Sequence, residues 1–162
     1  MKTVRLSCAH ALFKFLIAQK TIIDGKKVPL FPGAFAIYGH GNVACLGQAM
    51  EEFQSDLPGY RGHHEQSMAL SGIGYARAMR RKQIFIATSS SGPGAMNMVT
   101  AAGVALSNRL PLLLLPGDVF ASRFPDPVLQ QVENFNSPVE NQNDAFKPVS
   151  RFFDRITRPE QI

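Results

Sequence analysis

Glu65 is the residue of this sequence best placed for acid–base chemistry. It is a lone acid that opens a predicted helix over 65–80, and that helix separates two predicted buried strands at 34–38 and 83–88. The second strand runs into the turn Gly92-Pro93-Gly94. In open α/β sheets, ligands bind at the carboxyl ends of the strands, beside such turns. A helix-terminal acid alone is explained by the helix dipole, so the combination of acid, strand and glycine turn predicts a cofactor site.

The Gly-Pro-Gly turn lacks the signatures of the common phosphate loops. Backbone N–H groups at a helix N-terminus can receive a ligand, but no Lys-Ser/Thr pair follows Gly94 as in a Walker loop. Gly39 and Gly41 do not fit the GxGxxG spacing, because the next glycine is Gly47. Serines 89–91 do not form a GxSxG elbow, which argues against a serine hydrolase.

Three histidines are candidates for binding a metal or another ligand. Side chains of adjacent residues on an extended segment point apart, so His63 and His64 are predicted to lie on a loop surface and not to share a metal. His40 follows the first strand of the predicted sheet, where the binding crevice of an α/β fold lies. Facing a ligand and facing solvent are equally consistent with its position.

Composition limits the classes of protein. The chain has 162 residues with a net charge of +5, and its basic residues are scattered without aromatic interleaving, which argues against nucleic-acid binding. Its start is interrupted by polar residues, so neither a signal peptide nor a membrane span is predicted. Cys8 and Cys45 form no metal pattern and are predicted to be buried free thiols. We therefore expect a cytoplasmic protein.

Strand and helix signals alternate along the first two thirds of the chain. The N-terminal segment 1–32 is predicted to hold a helix over 4–19 and then a hairpin at the turn Asp24-Gly25. The strands at 34–38, 83–88 and 111–116 alternate with helices, the last of which is predicted at 95–107. This alternation predicts an α/β fold with an open parallel sheet flanked by helices. The apolar faces predicted for the first two helices are Val4, Cys8, Leu12 and Phe15, and Val43, Leu46, Met50 and Phe53.

The last third of the chain has a different composition, rich in proline, asparagine and glutamine. Asp126-Pro127 predicts the start of a helix with an inner face of Val128, Val132 and Phe135. A strand is predicted at 149–156. The final residues, 157–162, have the pattern of the opening turn of another helix, which predicts a longer protein.

Four stretches of the sequence carry motifs of a known family: 61–69, 74–77, 87–97 and 108–118. Together they resemble the pyrimidine-binding (PYR) domain of thiamine-diphosphate enzymes of the acetolactate synthase type. The resemblance implies a flavodoxin-like fold and a single PYR domain over 1–162. That domain would include the N-terminal helix and hairpin excursion of 1–32.

A second set of stretches narrows the resemblance within the family. The stretches 39–43, 116–121, 125–133 and 155–161 are similar to members that hydrolyse a C–C bond of a cyclic diketone. The reaction implied is ring opening of a polyhydroxylated cyclic 1,2-diketone to a 5-deoxy-glucuronate in inositol breakdown. The chain departs from the wider family in having His40-Gly41 where many members carry Pro-Gly, and one more serine before Gly92.

The resemblance also assigns roles to residues. In such enzymes a glutamate hydrogen-bonds N1′ of the cofactor's aminopyrimidine, which makes Glu65 the catalytic and cofactor-binding residue here. The residues expected to border thiamine diphosphate are Gly92, Pro93, Gly94 and Asn97, and His40 is expected to face the substrate. The family holds the diphosphate through Mg²⁺ on a Gly-Asp-Gly…Asn motif in a separate domain, which this sequence lacks. We therefore expect no metal ligands here, a homodimer or larger assembly, and no activity of the chain alone.

Two other functions are also consistent with the sequence. One is a non-catalytic α/β binding or dimerisation module, and the other is the PYR domain of an acetolactate synthase or 2-keto-acid decarboxylase-like enzyme. The stretch 116–135 favours the hydrolase over the synthase. A downstream domain with the diphosphate motif would favour an enzyme over a module.

Overall fold

A four-stranded parallel sheet with helices on both faces forms the body of the protein. The structure, a computed structural model, describes residues 3–121, 128–132, 134–137 and 140–162. The sheet has the order β4-β3-β5-β6. Its strands are β3 (Ala34–Ala36), β4 (Gly59–Arg61), β5 (Ile86–Ser89) and β6 (Leu113–Pro116). The predicted open parallel sheet is confirmed, although β4 was not predicted, because three residues show no periodicity.

The strand order creates a switch point between β3 and β5. From β3 the chain passes to β4 on one side, and it then crosses to β5, which pairs with the other side of β3. Connections that leave in opposite directions open a crevice at the carboxyl ends of the two strands. Ala36 is level with Thr88 of β5 in this register, so the loops after the two strands begin side by side.

Six helical segments complete the first part of the chain. They are α1 (Cys8–Ala18), a π-helical turn (Val43–Gly47) that leads into α2 (Gln48–Glu52), α3 (Glu65–Ala78), α4 (Pro93–Met96) and α5 (Val99–Asn108). The prediction of a helix opened by Glu65 is confirmed. The single helix predicted at 95–107 is wrong in part, because a turn at Asn97-Met98 divides it into α4 and α5.

The residues that face each side of the sheet form two separate cores. One core joins the sheet to α1 and α2, and it contains Phe13, Leu16, Ala34, Ala36, Met50 and Ile86. The other joins it to α3, α4 and α5, and it contains Ala69, Ile73, Ala87, Met98, Ala101, Ala102 and Ala105. Strand residues alternate between the two faces. The small residues on the inner faces of α3 and α5 therefore serve as packing surfaces.

The N-terminal segment confirms the hairpin and corrects the first helix. Strands β1 (Lys20–Ile23) and β2 (Lys26–Pro29) pair antiparallel around Asp24 and Gly25, both of which have positive φ as a type I′ turn requires. Helix α1 begins only at Cys8, because the Ser7 side chain accepts a hydrogen bond from the His10 backbone and caps it. Val4 therefore lies outside the helix.

The predicted apolar face of α1 is wrong by about one residue. The buried residues are Ala9, Phe13 and Leu16, whereas Phe15 is 59% exposed. Leu12 is partly buried against the core. The predicted burial of the two thiols is also wrong, because Cys8 lies on the outer side of this shifted stripe and Cys45 lies on the π-helical turn, both exposed and unoxidised.

The second predicted helix is also altered. The π-helical turn places Val43 at the surface with 50% exposure, while Met50 is buried and Leu46 and Phe53 are partly buried against the core. Strand β5 begins at Ile86, three residues after the predicted start. Gln83 is instead buried before the strand, and its side-chain amide donates to the Pro29 carbonyl at 2.7 Å.

The last third of the chain differs most from the prediction. Residues 142–149 form a 3₁₀ helix (Gln142–Val149). The predicted strand at 149–156 is wrong, because residues 150–156 form no strand and pair with none of the described strands. Phe152 is 82% exposed. Asp126-Pro127 lies outside the described residues, and residues 128–132 and 134–137 form turns and no helix. A short 3₁₀ helix (Pro159–Gln161) matches the helical turn predicted near the end.

Candidate active site at the switch point

Three loops meet at the carboxyl end of the sheet. They follow β3 (residues 39–42), β5 (residues 90–92) and β6 (Gly117), and they are packed too tightly for larger residues. A Cβ on Gly39 would collide with the Ser90 side chain, and one on Gly117 would lie 2.8 Å from the Ser91 backbone nitrogen. Glycine is therefore required where these loops touch.

Asn42 holds the loop after β3 against β5, a role that no sequence pattern indicates. Its side chain is buried, its Oδ1 accepts from the Gly39 backbone N–H at 3.1 Å, and its Nδ2 donates to the Ser89 carbonyl at 2.6 Å. Nδ2 also lies 3.2 Å from Thr88 Oγ1. These contacts fix the turn that carries His40 at the edge of the crevice.

The Asn42→Ala change is expected to lower the free energy of unfolding by about 1–3 kcal/mol, because it leaves the part-buried Gly39 N–H without its partner and removes one of the two donors to the buried Ser89 carbonyl. Urea denaturation of the chain would measure the change. Asn136→Ala is a matched control, since Asn136 is exposed and its loss should change stability by less than about 0.5 kcal/mol. An equal effect of the two substitutions would contradict the role of Asn42.

Glu65 lies at the first position of α3, with its carboxylate directed toward the Gly-Pro-Gly turn. Its Oε2 accepts a hydrogen bond from Asn97 Nδ2 at 2.9 Å. Its Oε1 lies 3.1 Å from where a Cβ on Gly94 would be, so any larger residue at Gly94 would crowd the carboxylate. Within the described part of the chain, no hydrogen-bond donor reaches Oε1, which remains as an open acceptor beside the turn.

The Gly-Pro-Gly turn itself is held by backbone geometry. Gly92 has φ of 65° and ψ of −125°, which side chains rarely tolerate, and Pro93 occupies the first turn of α4. The carbonyl of Gln130 lies where a Cβ on Gly92 would be, and Ser90 Oγ donates to Gln130 Oε1 at 3.3 Å. Gly92 is thus needed for conformation and for close approach of the segment 128–132.

The structure brings together three of the predicted site residues: Glu65, Gly94 and Asn97. Gly92 faces Gln130 and not the carboxylate, and Pro93 is exposed. His40 is exposed at the same end of the sheet and makes no hydrogen bond with another described residue. Serines 89–91 are buried, which is consistent with the rejection of a serine nucleophile.

One histidine has a role that the sequence did not indicate. His64 is exposed, but its Nδ1 caps α3 through Ser67, and its Nε2 lies 3.3 Å from Asn97 Nδ2. The described residues contain no cluster of three or more potential metal ligands. A search of the same residues for a helix long and apolar enough to cross a membrane finds none.

Comparison with known proteins identifies relatives over the whole chain. Residues 33–137 match the family described as thiamine pyrophosphate enzyme, N-terminal TPP binding domain. A protein from Geobacillus thermodenitrificans named 3D-(3,5/4)-trihydroxycyclohexane-1,2-dione hydrolase is 54% identical over 162 residues, 100% of this chain. Proteins of the same name from Clostridium tetani and Bacillus subtilis are each 52% identical, over 100% and 99% of the chain. The chain spans 25% of the length of each of these relatives.

Proposed function

Because the chain belongs to the thiamine pyrophosphate enzyme family, whose N-terminal TPP-binding domain it matches, we propose that it is the pyrimidine-binding part of a C–C hydrolase. The substrate proposed is trihydroxycyclohexane-1,2-dione, the compound named in its relatives. Ring opening would give a 5-deoxy-glucuronate, in the breakdown of inositol. The chain would form a single PYR domain over 1–162, which includes the helix and hairpin of 1–32 that precede the matched residues.

One observation carries this proposal: the Glu65 carboxylate lies against a glycine turn at the switch point with one oxygen open. The missing side chain at Gly94 leaves room for a flat ring to approach Oε1. A carboxyl group accepts a hydrogen bond when ionised and donates one when protonated. It can therefore exchange a proton with a ring nitrogen, as the aminopyrimidine of thiamine diphosphate requires.

The residues of this chain have distinct roles in the proposed site. Thiamine diphosphate, when bound, supplies a nucleophilic carbon and a sink for the electrons of the broken C–C bond. Glu65 holds a proton at N1′ of the aminopyrimidine ring, and Asn97 orients the carboxyl group through its 2.9 Å hydrogen bond. Gly92 and Pro93 shape the turn beside the ring, and His40 faces the substrate.

The remaining parts of the site would come from outside the chain. We propose that Mg²⁺ and the diphosphate bind a second domain, that the active assembly is a homodimer or larger, and that the protein is cytoplasmic. The chain would then supply half of a site and have no activity alone. Glu65 and its neighbours would bind only the pyrimidine end of the cofactor.

The proposal predicts a clear difference between the chain and the holoenzyme. Titration of thiamine diphosphate and Mg²⁺ into the 162-residue chain in a calorimeter should give weak or no heat, because the sequence lacks the family's Gly-Asp-Gly…Asn motif for the diphosphate. The holoenzyme that contains the chain should open trihydroxycyclohexane-1,2-dione and show no synthase activity on 2-keto acids. Tight binding by the chain alone would contradict the half-site, and a holoenzyme without ring-opening activity would contradict the hydrolase.

A further inference from the structure

A single amide nitrogen lies between a histidine ring and the proposed catalytic carboxylate. Asn97 Nδ2 is 2.9 Å from Glu65 Oε2 and 3.3 Å from His64 Nε2. A side-chain amide carries two N–H groups, so it can donate one to each neighbour. Asn97 is placed for this because it lies in the turn between α4 and α5, opposite the start of α3.

The two contacts of Asn97 restrict which ring nitrogen of His64 can carry the proton. Nε2 can accept from the amide only if it carries no proton, so a neutral ring must carry its proton on Nδ1. Ser67 Oγ lies 2.9 Å from Nδ1 and can accept that proton. With the proton on Nε2, two donors would face each other. Turning the amide over would then bring Asn97 Oδ1 against Glu65 Oε2, two acceptors.

The backbone of α3 competes for the same histidine. The Ser67 N–H lies 3.2 Å from Nδ1, and this capping contact requires the opposite tautomer. Helix capping therefore requires the His64 proton on Nε2, whereas the hydrogen bond from Asn97 requires it on Nδ1. The Ser67 hydroxyl, 2.9 Å from Nδ1, suits either tautomer, because it can accept from Nδ1–H or donate to an unprotonated Nδ1. The contact with Asn97 is therefore the one that favours a proton on Nδ1.

We propose that His64 is a positioning residue that acts on Glu65 through Asn97. With its proton on Nδ1, it accepts one N–H of Asn97 and so directs the other N–H to Glu65 Oε2. This leaves Oε1, on the side of Gly94, as the oxygen that meets the cofactor's ring nitrogen. The inference rests on the proposed function, because it assigns a partner to the same carboxylate.

The tautomer can be measured without any activity assay. In the ¹⁵N NMR spectrum of the histidine-labelled protein, His64 should show the pattern of the Nδ1–H tautomer, with Nε2 as the unprotonated nitrogen. Asn97→Ala should shift the ring toward the Nε2–H tautomer, because no donor then faces Nε2, while the Ser67 backbone N–H and hydroxyl can both donate to Nδ1. An Nε2–H pattern in the wild-type protein would overturn the inference.

A substitution at His64 separates positioning from helix capping. His64→Ser keeps an oxygen that can cap the helix, but it is too short to reach Asn97. In the holoenzyme, it should slow exchange of the thiazolium C2 proton, followed by NMR, by about 3–10-fold, as expected for loss of one indirect hydrogen bond. Thermal stability should change little. His63→Ser, at the neighbouring exposed histidine, should leave exchange unchanged.

A double substitution tests whether the effect passes through Asn97. If it does, the rate of exchange in His64→Ser/Asn97→Ala should equal that in Asn97→Ala alone. Independent, multiplying effects, or a His64→Ser variant that exchanges at the wild-type rate, would overturn the inference. Glu65→Gln distinguishes a failure of the proposed function from a failure of the role of His64. Wild-type exchange in that variant would contradict the proposed function, whereas slow exchange there with normal exchange in His64→Ser would contradict the role of His64 alone.

Discussion

Glu65→Gln is expected to slow ring opening by the holoenzyme by about 10²–10⁴-fold, the range typical for loss of a general acid–base group. Glutamine has the size of glutamate, and its carbonyl oxygen can still accept the 2.9 Å hydrogen bond from Asn97. The change therefore removes the proton-exchanging oxygen and little else. Steady-state kinetics should show the loss mainly in kcat, with thermal stability close to that of the wild type.

The control for this experiment is the same chemical change elsewhere on the chain. Glu51 is an exposed acid on α2, and it makes no hydrogen bond through its side chain to another described residue. Glu51→Gln should leave kcat within about twofold of wild type, in line with the small effects of surface substitutions. A Glu65→Gln enzyme that keeps more than a tenth of wild-type kcat would show that Glu65 is not the proton carrier.

Arg155→Met is expected to lower the free energy of unfolding by about 2–3 kcal/mol. Arg155 Nε lies 2.8 Å from Asp118 Oδ2, and its Nη2 lies 3.0 Å from Asp144 Oδ1. The substitution removes the cation that pairs with the Asp118 and Asp144 carboxylates. Removing one partner of a fully buried ion pair costs about 3–5 kcal/mol of stability. The three side chains are 20–25% exposed, so solvent screening reduces the expected loss.

The Arg155→Met substitution should also weaken the contact between the last part of the chain and the sheet. Asp118 follows β6, while Asp144 closes a capping box with Asn141 at the start of the 3₁₀ helix Gln142–Val149. Arg155 Nη2 also donates to Asn141 Oδ1 at 3.1 Å. The guanidinium thus joins the carboxyl end of β6 to this helix, and hydrogen exchange of residues 142–149 should accelerate in the variant.

The effect of Arg155→Met should depend on pH in a direction set by Asp144. Burial alone would raise the pKa of Asp144, but hydrogen bonds from the Asn141 backbone, Lys147 and Arg155 outweigh it and hold the pKa below its ordinary value of 3.8. A lowered pKa contributes stability that is present above the ordinary value and is lost as pH falls through the folded value. The difference between variant and wild type should therefore shrink below about pH 4.

Urea denaturation at several pH values would measure this difference. Arg151→Met provides the matched control, because Arg151 is exposed and four residues away on the same segment. It should cost less than about 0.5 kcal/mol. Equal losses in the two variants, or a difference that grows toward acid pH, would contradict the role assigned to Arg155.

Segments whose pattern lies in consecutive residues were predicted correctly. They include helix α3, the β1–β2 hairpin and the apolar strand β6. The proximity of Glu65 to Gly94 was also predicted, from the position of ligand sites in open α/β sheets, although β4, the strand that leads to Glu65, was not. The assignment of Glu65 as the catalytic residue stays a prediction.

The errors arose where structure depends on distant partners. The stretch 149–156 was predicted as a strand from its two phenylalanines, Phe152 and Phe153, but these residues do not show whether the stretch pairs with another strand. Asn42 finds its partner Thr88 46 residues away, and His64 meets Asn97 at a separation of 33 residues. Helix α1 begins at Cys8 and not at Val4 because Ser7 caps it, a contact that apolar periodicity does not show.

A crystal structure of the holoenzyme with thiamine diphosphate would test the central claim most directly. The measured quantity is the distance from Glu65 Oε1 to N1′ of the cofactor's pyrimidine ring. We predict a distance of about 2.6–3.2 Å, within hydrogen-bond reach, with Asn97 still bound to Oε2. A pyrimidine ring bound away from α3, with the Glu65 carboxylate in contact with solvent alone, would contradict the account.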